Sequence, residues 1–343
     1  MAQNERILTP DWILKETLAL QSRAIMEYTS QQNAKKDGDL TLTVLGCGTM
    51  GIAILGGILD SLSSADVQGG EKAEDGAEPK RLPKRFNACV RRDASKKRIE
   101  SELGQYPTFS QLRIWQNDNL EPVKQADIVL LGCKPYMVAD ILRGNDMAQA
   151  LKGKLLISIC AGVTEQQLAE CLPQNTCTIV RAMPNTAAAV RESMTVIATS
   201  NPPLPQETNS LVDWIFTRIG KVVHLPPNAM DASTALCGSG PAFCAMMCEG
   251  LALGGVAMGI PREEAYLMAA QTMRGTTGLL QSGEHPAILK DKVSTPGGCT
   301  VGGLLVLEEH AVKGIVAKAV REATEVASRL GQGQTGVNGT RAK

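Results

Sequence analysis

Residues 40–62, LTLTVLGCGTMGIAILGGILDSL, indicate the fold class most clearly. It opens with a short apolar run typical of a buried strand, turns through GCGTMG at 46–51 and continues as an apolar helical pattern. The turn matches G-x-G-x-x-G in the context that this motif requires, between a strand and a helix. Its glycines permit a tight turn and the approach of a pyrophosphate to the backbone, and the helix start offers N–H groups to that anion. We therefore predict a dinucleotide site here, and a glycine turn without a ligand is the alternative.

Strand and helix patterns alternate beyond this stretch. Further strands are predicted at 85–92, 126–135, 153–163 and 177–185, then within ESMTVIATS and KVVHL, with a helix at 93–104. Continuous apolar strands that alternate with helices are typical of a parallel sheet covered on both faces. From about Ala229 the strand patterns cease, and helices are predicted at 229–259, 261–282 and 301–330 around a loop at 283–300. The fold class is therefore α/β, with a Rossmann-type N-terminal domain built on a mostly parallel sheet, followed by an all-α C-terminal domain.

Composition shifts suggest where these domains begin and end. The predicted division is an N-terminal extension at 1–40, a dinucleotide-binding domain at 41–225, a helical domain at 226–331 and a tail at 332–343. The extension carries one amphipathic helical pattern at about 11–28. Within the first domain, residues 63–85 are rich in charge, Gly and Pro, which predicts a flexible surface insertion.

Charge and cysteine usage exclude several partners. Basic and acidic residues balance at 35 each and aromatic residues make up 3%, so neither a nucleic acid nor a membrane partner is expected. The ten cysteines include no CxxC pair, and no metal-ligand spacing occurs, so no metal site is predicted. No secretory pattern opens the sequence, and a cytoplasmic, reducing location is expected. Residues 233–261 carry Glu249 as their single charge, and we interpret them as a buried helix rather than a membrane span.

Nucleotide preference depends on the end of the second strand. Many NAD-binding folds place Asp or Glu there for the ribose hydroxyls. Here Arg91 falls at that position, with Arg92 and Lys96 nearby, and these cations suit a 2′-phosphate. We predict NADPH as the cofactor, and Asp93 keeps NADH open as the alternative.

The ends of the next two predicted strands, CKP at 133–135 and CAG at 160–162, point to the ligand crevice of an open α/β sheet. Lys134 is then either a catalytic acid or a cofactor contact, and we favour the contact.

Several motifs together resemble one family. VLGCGTMG, GCKP, SICAGV, RAMPNT, ALCGSGPAF and HPAILKDKVSTPGGCTVGGLLVLE are similar to segments of the Δ1-pyrroline-5-carboxylate reductases, over roughly residues 41–330. The resemblance implies an NAD(P)H-dependent oxidoreductase that reduces Δ1-pyrroline-5-carboxylate, a cyclic imino acid, to L-proline by hydride transfer, the last step of proline biosynthesis. It also implies that the helical domain is a dimerisation domain and that the protein is a homodimer or a higher homo-oligomer.

The resemblance carries site residues over by position. The implied cofactor-binding residues are Leu45, Gly46, Cys47, Gly48, Thr49, Met50, Arg91, Asn119, Cys133, Lys134, Pro135, Cys160 and Ala161. The implied substrate-binding residues are Gly298, Cys299 and Thr300. The chain departs from the family at 226–228, where PPN replaces a frequent acidic pair, and at Lys292, where some members have Asn.

The loop STPGGCT, residues 294–300, precedes a helical pattern and has few large side chains. Unpaired N–H groups at a helix start bind a carboxylate without a cationic side chain, and Gly297 and Gly298 let the backbone curl around it. Thr300 is the predicted catalytic residue, since its hydroxyl can hydrogen-bond the ring nitrogen of the imine; a helix N-cap is its structural alternative. For His285, packing within the loop is favoured over acid catalysis.

Two other functions stay open. A β-hydroxyacid dehydrogenase has a similar plan but needs a catalytic lysine on a helix after the boundary, and residues 233–261 contain none. A non-catalytic NADPH-sensing protein needs the glycine turn but not the STPGGCT loop.

Overall fold

The computed structural model describes residues 39–65, 79–334, 337 and 339. Its sheet runs in the order β3-β2-β1-β4-β5-β6-β7-β8. The strands are β1 Leu40–Leu45, β2 Pro83–Val90, β3 Leu112–Gln116, β4 Ile128–Leu131, β5 Leu155–Ser158, β6 Thr178–Met183, β7 Ser193–Ala198 and β8 Gly220–Leu225. All neighbours are parallel except β6 and β7, which confirms a mostly parallel sheet. We call residues 40–225 the sheet region.

Helices cover both faces of this sheet. The α-helices of the sheet region are α1 Thr49–Ala65, α2 Asp93–Leu103, α3 Leu120–Gln125, α4 Val138–Leu142, α5 Met147–Leu151, α6 Glu165–Ala169 and α7 Gln206–Thr217. Successive strand residues point to opposite faces, so Val44 joins the core beneath α1 and α7, whereas Leu45 joins the core beneath α3 to α6. Because both faces are covered, β1, β4 and β5 consist entirely of buried residues.

The sequence patterns missed β3. Its residues LRIWQ carry Arg113 and Gln116, and the strand lies at the edge of the sheet with only Leu112 buried. The Arg113 guanidinium lies 3.9 Å from the ring centroid of Trp115, so two of its five side chains stack on each other. Such an edge strand lacks the continuous apolar run that identified the central strands.

The predicted insertion and termini fall partly outside the described residues. α1 continues to Ala65 and β2 begins at Pro83, so residues at both ends of the predicted insertion at 63–85 belong to regular elements. Residues 66–78, the predicted helix at 11–28 and most of the tail lie outside the described residues.

Beyond β8 the described chain is helical. The helices are α8 Met230–Ser233, a π-helix Thr234–Gly238, α9 Gly240–Ala257, α10 Arg262–Gln281, α11 Pro286–Val293, α12 Cys299–Glu309 and α13 Val312–Gly331. We call residues 227–331 the helical region. The predicted loop at 283–300 is wrong, because α11 occupies its centre and His285 Nδ1 accepts a hydrogen bond from the Ala287 amide (3.3 Å) at its start. The predicted helix at 301–330 is two helices, separated at Ala311, whose φ is +50°.

The prediction that residues 233–261 form a buried helix is wrong for the single chain. In α9 only Ala252 is buried, while Met246 and Leu251 are more than half exposed. By length and composition, the segment Pro227–Ala257 is also the one candidate membrane span in the described part of the chain, and 6% of its apolar window is buried. Within one copy of the chain, most of the apolar surface of α9 therefore stays exposed to solvent among the described residues.

Candidate active site

The glycine turn after β1 is shaped by close backbone contacts. Gly46 has φ +77°, and a Cβ placed on it would lie 2.8 Å from the Cα of Cys133. Both the conformation and the contact require glycine. The Gly132 amide also donates to the Leu45 carbonyl (2.9 Å), which fixes the end of β4 beside the turn. A Cβ on Gly51 would approach Val44 Cγ1 to 2.9 Å, so the third glycine lets α1 pack on β1.

The space over the second glycine is open. The nearest atom to a Cβ on Gly48 would be the Gly46 carbonyl oxygen at 4.0 Å, and Gly48 and Thr49 are exposed. The amides of the first turn of α1 have no carbonyl partner within the helix. Arg98 from α2, which the sequence patterns missed, donates to Thr49 Oγ1 (3.0 Å) and is itself paired with Glu102 (2.5 Å). This cradle fits the pyrophosphate of a dinucleotide.

The charges at the end of β2 favour a further phosphate. Arg91 and Arg92 are exposed, and no carboxylate pairs with either among the residues that the structure describes. Asp93, by contrast, pairs with Lys97 (3.0 Å) one helical turn later in α2. Because the carboxylate is engaged and the guanidinium groups are not, this corner suits a 2′-phosphate better than two ribose hydroxyls.

The remaining predicted cofactor residues follow the same edge. The strand order reverses between β2 and β4 on either side of β1, which is where open α/β sheets bind ligands. Lys134 and Pro135 are exposed after β4, and Ala161 is exposed after β5. Asn119 begins α3 without a capping bond from its side chain, since Asp118 Oδ1 accepts from the Leu120 amide (2.9 Å) instead.

Buried thiols also lie along this edge. Cys47 and Cys133 are 2% and 8% exposed, and Cys160 is 3% exposed, so side chains of the predicted set line the core beneath the crevice rather than its surface. Burial raises the pKa of the Cys47 thiol to about 12, with a smaller opposing effect of Arg98. Cys47 is therefore a neutral packing residue at ordinary pH, and any contact with a nucleotide falls to its backbone.

The STPGGCT segment forms the entrance to α12. Gly297 has φ +72°, the Gly298 amide donates to the Thr295 carbonyl (3.0 Å), and Gly298 is the N-cap without a side-chain capping bond. Thr300 is the second residue of the helix, so the N-cap alternative for Thr300 is wrong. The amides at this helix start are not satisfied by a side-chain cap, as an anion site requires.

The structure does not bring the two groups of predicted residues together within one chain. The dinucleotide residues share one edge of the sheet. Gly298, Cys299 and Thr300 open a helix whose main packing partner is α13. In the described ranges, no hydrogen bond or ion pair joins the segment 294–300 to that edge.

Arg181 on β6 is a residue that sequence reasoning missed. It is 5% exposed, and its Nε and Nη2 atoms are buried without a hydrogen-bond partner. Its nearest carboxylate is Asp231 on α8, whose Oδ1 lies 3.9 Å from Nη2. Burial lowers the pKa of the guanidinium, and the negative charge of Asp231 partly opposes this effect. The sequence pattern that could have revealed it is a single arginine in an otherwise apolar strand. In the structure, Arg181 is a buried charge between the sheet region and the helical region.

Known proteins match both regions. Residues 227–330 match a family model described as pyrroline-5-carboxylate reductase dimerisation, and residues 41–162 match one described as NADP oxidoreductase coenzyme F420-dependent. A pyrroline-5-carboxylate reductase from Lophium arboricola is 57% identical over 317 residues, covering 90% of this chain and 98% of the relative. One from Neurospora crassa is 54% identical over 328 residues, with 90% and 98% covered.

A solved structure shares the fold. The pyrroline carboxylate reductase of Plasmodium falciparum with NADP bound is 26% identical with a TM-score of 0.66, covering 86% of this chain and 100% of that one. The matches to the Lophium arboricola and Neurospora crassa proteins extend over nearly the whole length of both relatives. The chain therefore belongs to the pyrroline-5-carboxylate reductase family.

Proposed function

We propose that the protein reduces Δ1-pyrroline-5-carboxylate to L-proline with NADPH, the last step of proline biosynthesis. The observation that carries this proposal is the uncapped helix start at Gly298, Cys299 and Thr300, in a chain whose sheet edge fits a dinucleotide. A helix start without a side-chain cap suits the carboxylate of the substrate. Membership of the family supports the same reaction.

The substrate loop binds and orients. Cys299 and Thr300 would hold the carboxylate through their amides, beside Gly298, whose own amide is bonded to the Thr295 carbonyl (3.0 Å). The Thr300 hydroxyl, on the second residue of α12, would hydrogen-bond the ring nitrogen. Protonation of that nitrogen makes the adjacent carbon a better hydride acceptor, so a donor at this position favours the reaction more than a strong base would.

The cofactor residues hold the nucleotide along the sheet edge. The reduced nicotinamide, when bound, supplies the hydride. The turn from Leu45 to Met50 would hold the pyrophosphate and Arg91 the 2′-phosphate. Asn119, Cys133, Lys134, Pro135, Cys160 and Ala161 would line the rest of the path. The free guanidinium at Arg91 supports NADPH over NADH, and the relative from Plasmodium falciparum has NADP bound.

A second copy of the chain would complete the site. Exposed apolar residues on α9, α10 and α12, such as Leu251, Leu267 and Leu305, need a cover. The family model that matches this region is named for dimerisation. We infer a homodimer or larger homo-oligomer in which the loop of one copy faces a nucleotide edge. All ten cysteines are free thiols, which supports work in the reducing cytoplasm.

The direct test is an absorbance assay of NADPH oxidation with pyrroline-5-carboxylate, with proline identified as the product. We expect turnover that depends on both reactants and a lower kcat/KM with NADH. Tight NADPH binding without turnover of the imine would contradict the proposal and favour a nucleotide sensor.

A further inference from the structure

Two buried thiols lie side by side at the nucleotide edge. Cys133 is the second residue after β4 and Cys160 the second after β5. The parallel register pairs Leu131 with Ser158, and the Ile159 amide donates to the Leu131 carbonyl (3.0 Å) beyond the last paired residues. The pairing ends at Leu131 and Ser158, two residues before Cys133 and Cys160. Neighbouring strands lie about 4.8 Å apart, and a disulfide accepts Cα separations of about 4.4–6.8 Å.

The side chains also share a face of the sheet. Both belong to the core beneath α3 to α6, and the Cys160 thiol donates to the Cys133 carbonyl (3.3 Å). Cys47 and Cys89 make an instructive contrast. The Cys47 amide donates to the Cys89 carbonyl (3.0 Å), yet these two side chains lie in the cores on opposite faces. Neighbouring backbones alone therefore do not bring two thiols together, whereas Cys133 and Cys160 combine neighbouring backbones with a shared core.

The pair is chemically asymmetric. A hydrogen bond between the two thiols, with burial adding to it, raises the pKa of Cys133. The same hydrogen bond lowers the pKa of Cys160, against its burial. These directions assign the first attack to Cys160, while the closeness of the two thiols rests on their shared core and on the contact between the Cys160 thiol and the Cys133 carbonyl.

We propose that Cys133 and Cys160 are an oxidation site that closes to a reversible disulfide with a small peroxide, and that this disulfide and a bound dinucleotide disfavour each other. The Cys160 thiolate attacks one peroxide oxygen, the O–O bond breaks, and hydroxide leaves a sulfenic acid on Cys160. The Cys133 sulfur then attacks the Cys160 sulfur, the S–O bond breaks, and the oxygen leaves as water with the proton of Cys133. In sum, two thiols and one hydrogen peroxide give one disulfide and two waters.

The coupling between the disulfide and nucleotide binding follows from the position of Cys133, and it rests on the proposed function. Its Cα lies where a side chain on Gly46 would have to go, so the Cys133 backbone is one wall of the glycine turn. Lys134 and Pro135 follow it directly into the proposed cofactor path. A bond that draws Cys133 toward Cys160 therefore shifts both. Because the two thiols are 8% and 3% exposed, a peroxide reaches them only when this edge opens, and a bound nucleotide holds it closed.

The test treats the full-length reduced protein with hydrogen peroxide, with and without NADPH, then blocks free thiols and maps linked peptides by mass spectrometry. We expect a Cys133–Cys160 linkage. NADPH at ten times its Kd should slow its formation about tenfold by mass action. The oxidised protein should bind NADPH at least about tenfold more weakly, and a dithiol reductant should restore the affinity.

Matched variants separate this chemistry from general thiol oxidation. Cys89→Ser removes a buried thiol at the same edge and should leave the linkage intact. Cys133→Ser and, independently, Cys160→Ser should abolish it, so the test survives if one of them does not fold. Linkage of other cysteines alone, such as Cys171 with Cys177, would overturn the proposal, as would equal NADPH affinity before and after oxidation. If the reduced protein bound no NADPH, the proposed function and the coupling would both fall, while the mapped linkage would still be judged separately.

Discussion

The sheet region and the helical region bury their apolar residues very differently. In the sheet region, large side chains such as Leu55, Phe86 and Phe216 are at most 1% exposed. Between α9 and α10, the buried cluster consists of Ala252, Ala265 and Ala269. Each large apolar side chain left in water forgoes about 1.5–3 kcal/mol of burial free energy. The sheet region thus buries its own apolar side chains, whereas many apolar side chains of the helical region stay exposed in one copy of the chain.

This contrast also explains where the site residues lie. The residues proposed to bind the dinucleotide lie together at one edge of the sheet region. The helix start proposed to bind the substrate carboxylate lies in the helical region, and among the described residues no hydrogen bond or ion pair links it to that edge. A protein that needs a second copy to cover its helices can use the same contact to complete its site.

The largest effect should come from a charge on the uncovered surface. We predict that Leu251→Glu, on α9, prevents assembly, because a carboxylate in an apolar interface costs about 3 kcal/mol or more and weakens association by more than about a hundredfold. Light scattering after size-exclusion chromatography should show a monomer, and turnover should be lost while NADPH binding persists. The matched control is Val190→Glu, which charges a residue that is 70% exposed in the sheet region. An assembled, active Leu251→Glu variant would contradict the contrast between the regions.

A pair of glycine substitutions tests the self-contained edge. Gly46→Ala puts a Cβ 2.8 Å from the Cys133 Cα at a φ of +77°. We therefore expect the free energy of unfolding to fall by about 1–3 kcal/mol and NADPH binding to be lost. Gly48→Ala meets open space and should leave stability unchanged while weakening NADPH. Chemical denaturation and nucleotide titration of both variants are the measurements. Equal stability losses in the two variants would contradict the close contact between Gly46 and Cys133 and the open space over Gly48.

Thr300→Ala tests the helical side of the site. We predict a fall in kcat of about tenfold to a hundredfold, because the hydroxyl is proposed to donate to the ring nitrogen in the transition state. The affinity for NADPH and the melting temperature should stay unchanged, since Gly298 rather than Thr300 is the N-cap of α12. Val301→Ala, one residue on, is the control. Normal turnover in Thr300→Ala would remove this residue from the reaction.

Arg91→Ser tests the proposed 2′-phosphate contact in the sheet region. It should change NADPH affinity and leave kcat almost unchanged, the reverse of Thr300→Ala. We expect about a tenfold or greater loss of NADPH affinity from the loss of a charge-assisted bond to the 2′-phosphate, with little change for NADH and in kcat. Titrations with both nucleotides provide the measurement. Lys84→Ser, whose charge is paired with Asp39 (3.3 Å) at the other end of β2, is the control. Parallel losses for NADPH and NADH would place Arg91 elsewhere than at the 2′-phosphate.

How far the sequence predicts these features depends on how local their causes are. The glycine turn, the central strands and the nucleotide edge follow from short-range pattern and the rule that ligands bind where strand order reverses. The edge strand β3 was missed because Arg113 and Gln116 interrupt its apolar run. The helix α11 was missed because Pro286 and its lysines read as a loop, and the break at Ala311 has no local signal. The buried guanidinium of Arg181, two of whose nitrogens lack a hydrogen bond, depends on burial by distant elements, which no local pattern contains.

The smallest predicted effect concerns the charge that joins the regions. Asp231→Asn removes the carboxylate nearest to the buried Arg181, and the 3.9 Å separation and the half-exposed aspartate limit the cost to about 1 kcal/mol of unfolding free energy. Because α8 begins the helical region, we expect the substitution to raise KM for the imine while the affinity for NADPH stays constant. Arg181→Met removes both charge and orphaned donors, and denaturation of the single and double variants gives the coupling free energy between the residues. A coupling near zero would mean that Arg181 is stabilised without Asp231. The polar link between the regions would then rest on other contacts, such as the hydrogen bonds from Gln167 to the Gly331 carbonyl (2.8 Å) and from Asn185 to the Cys237 carbonyl (3.1 Å).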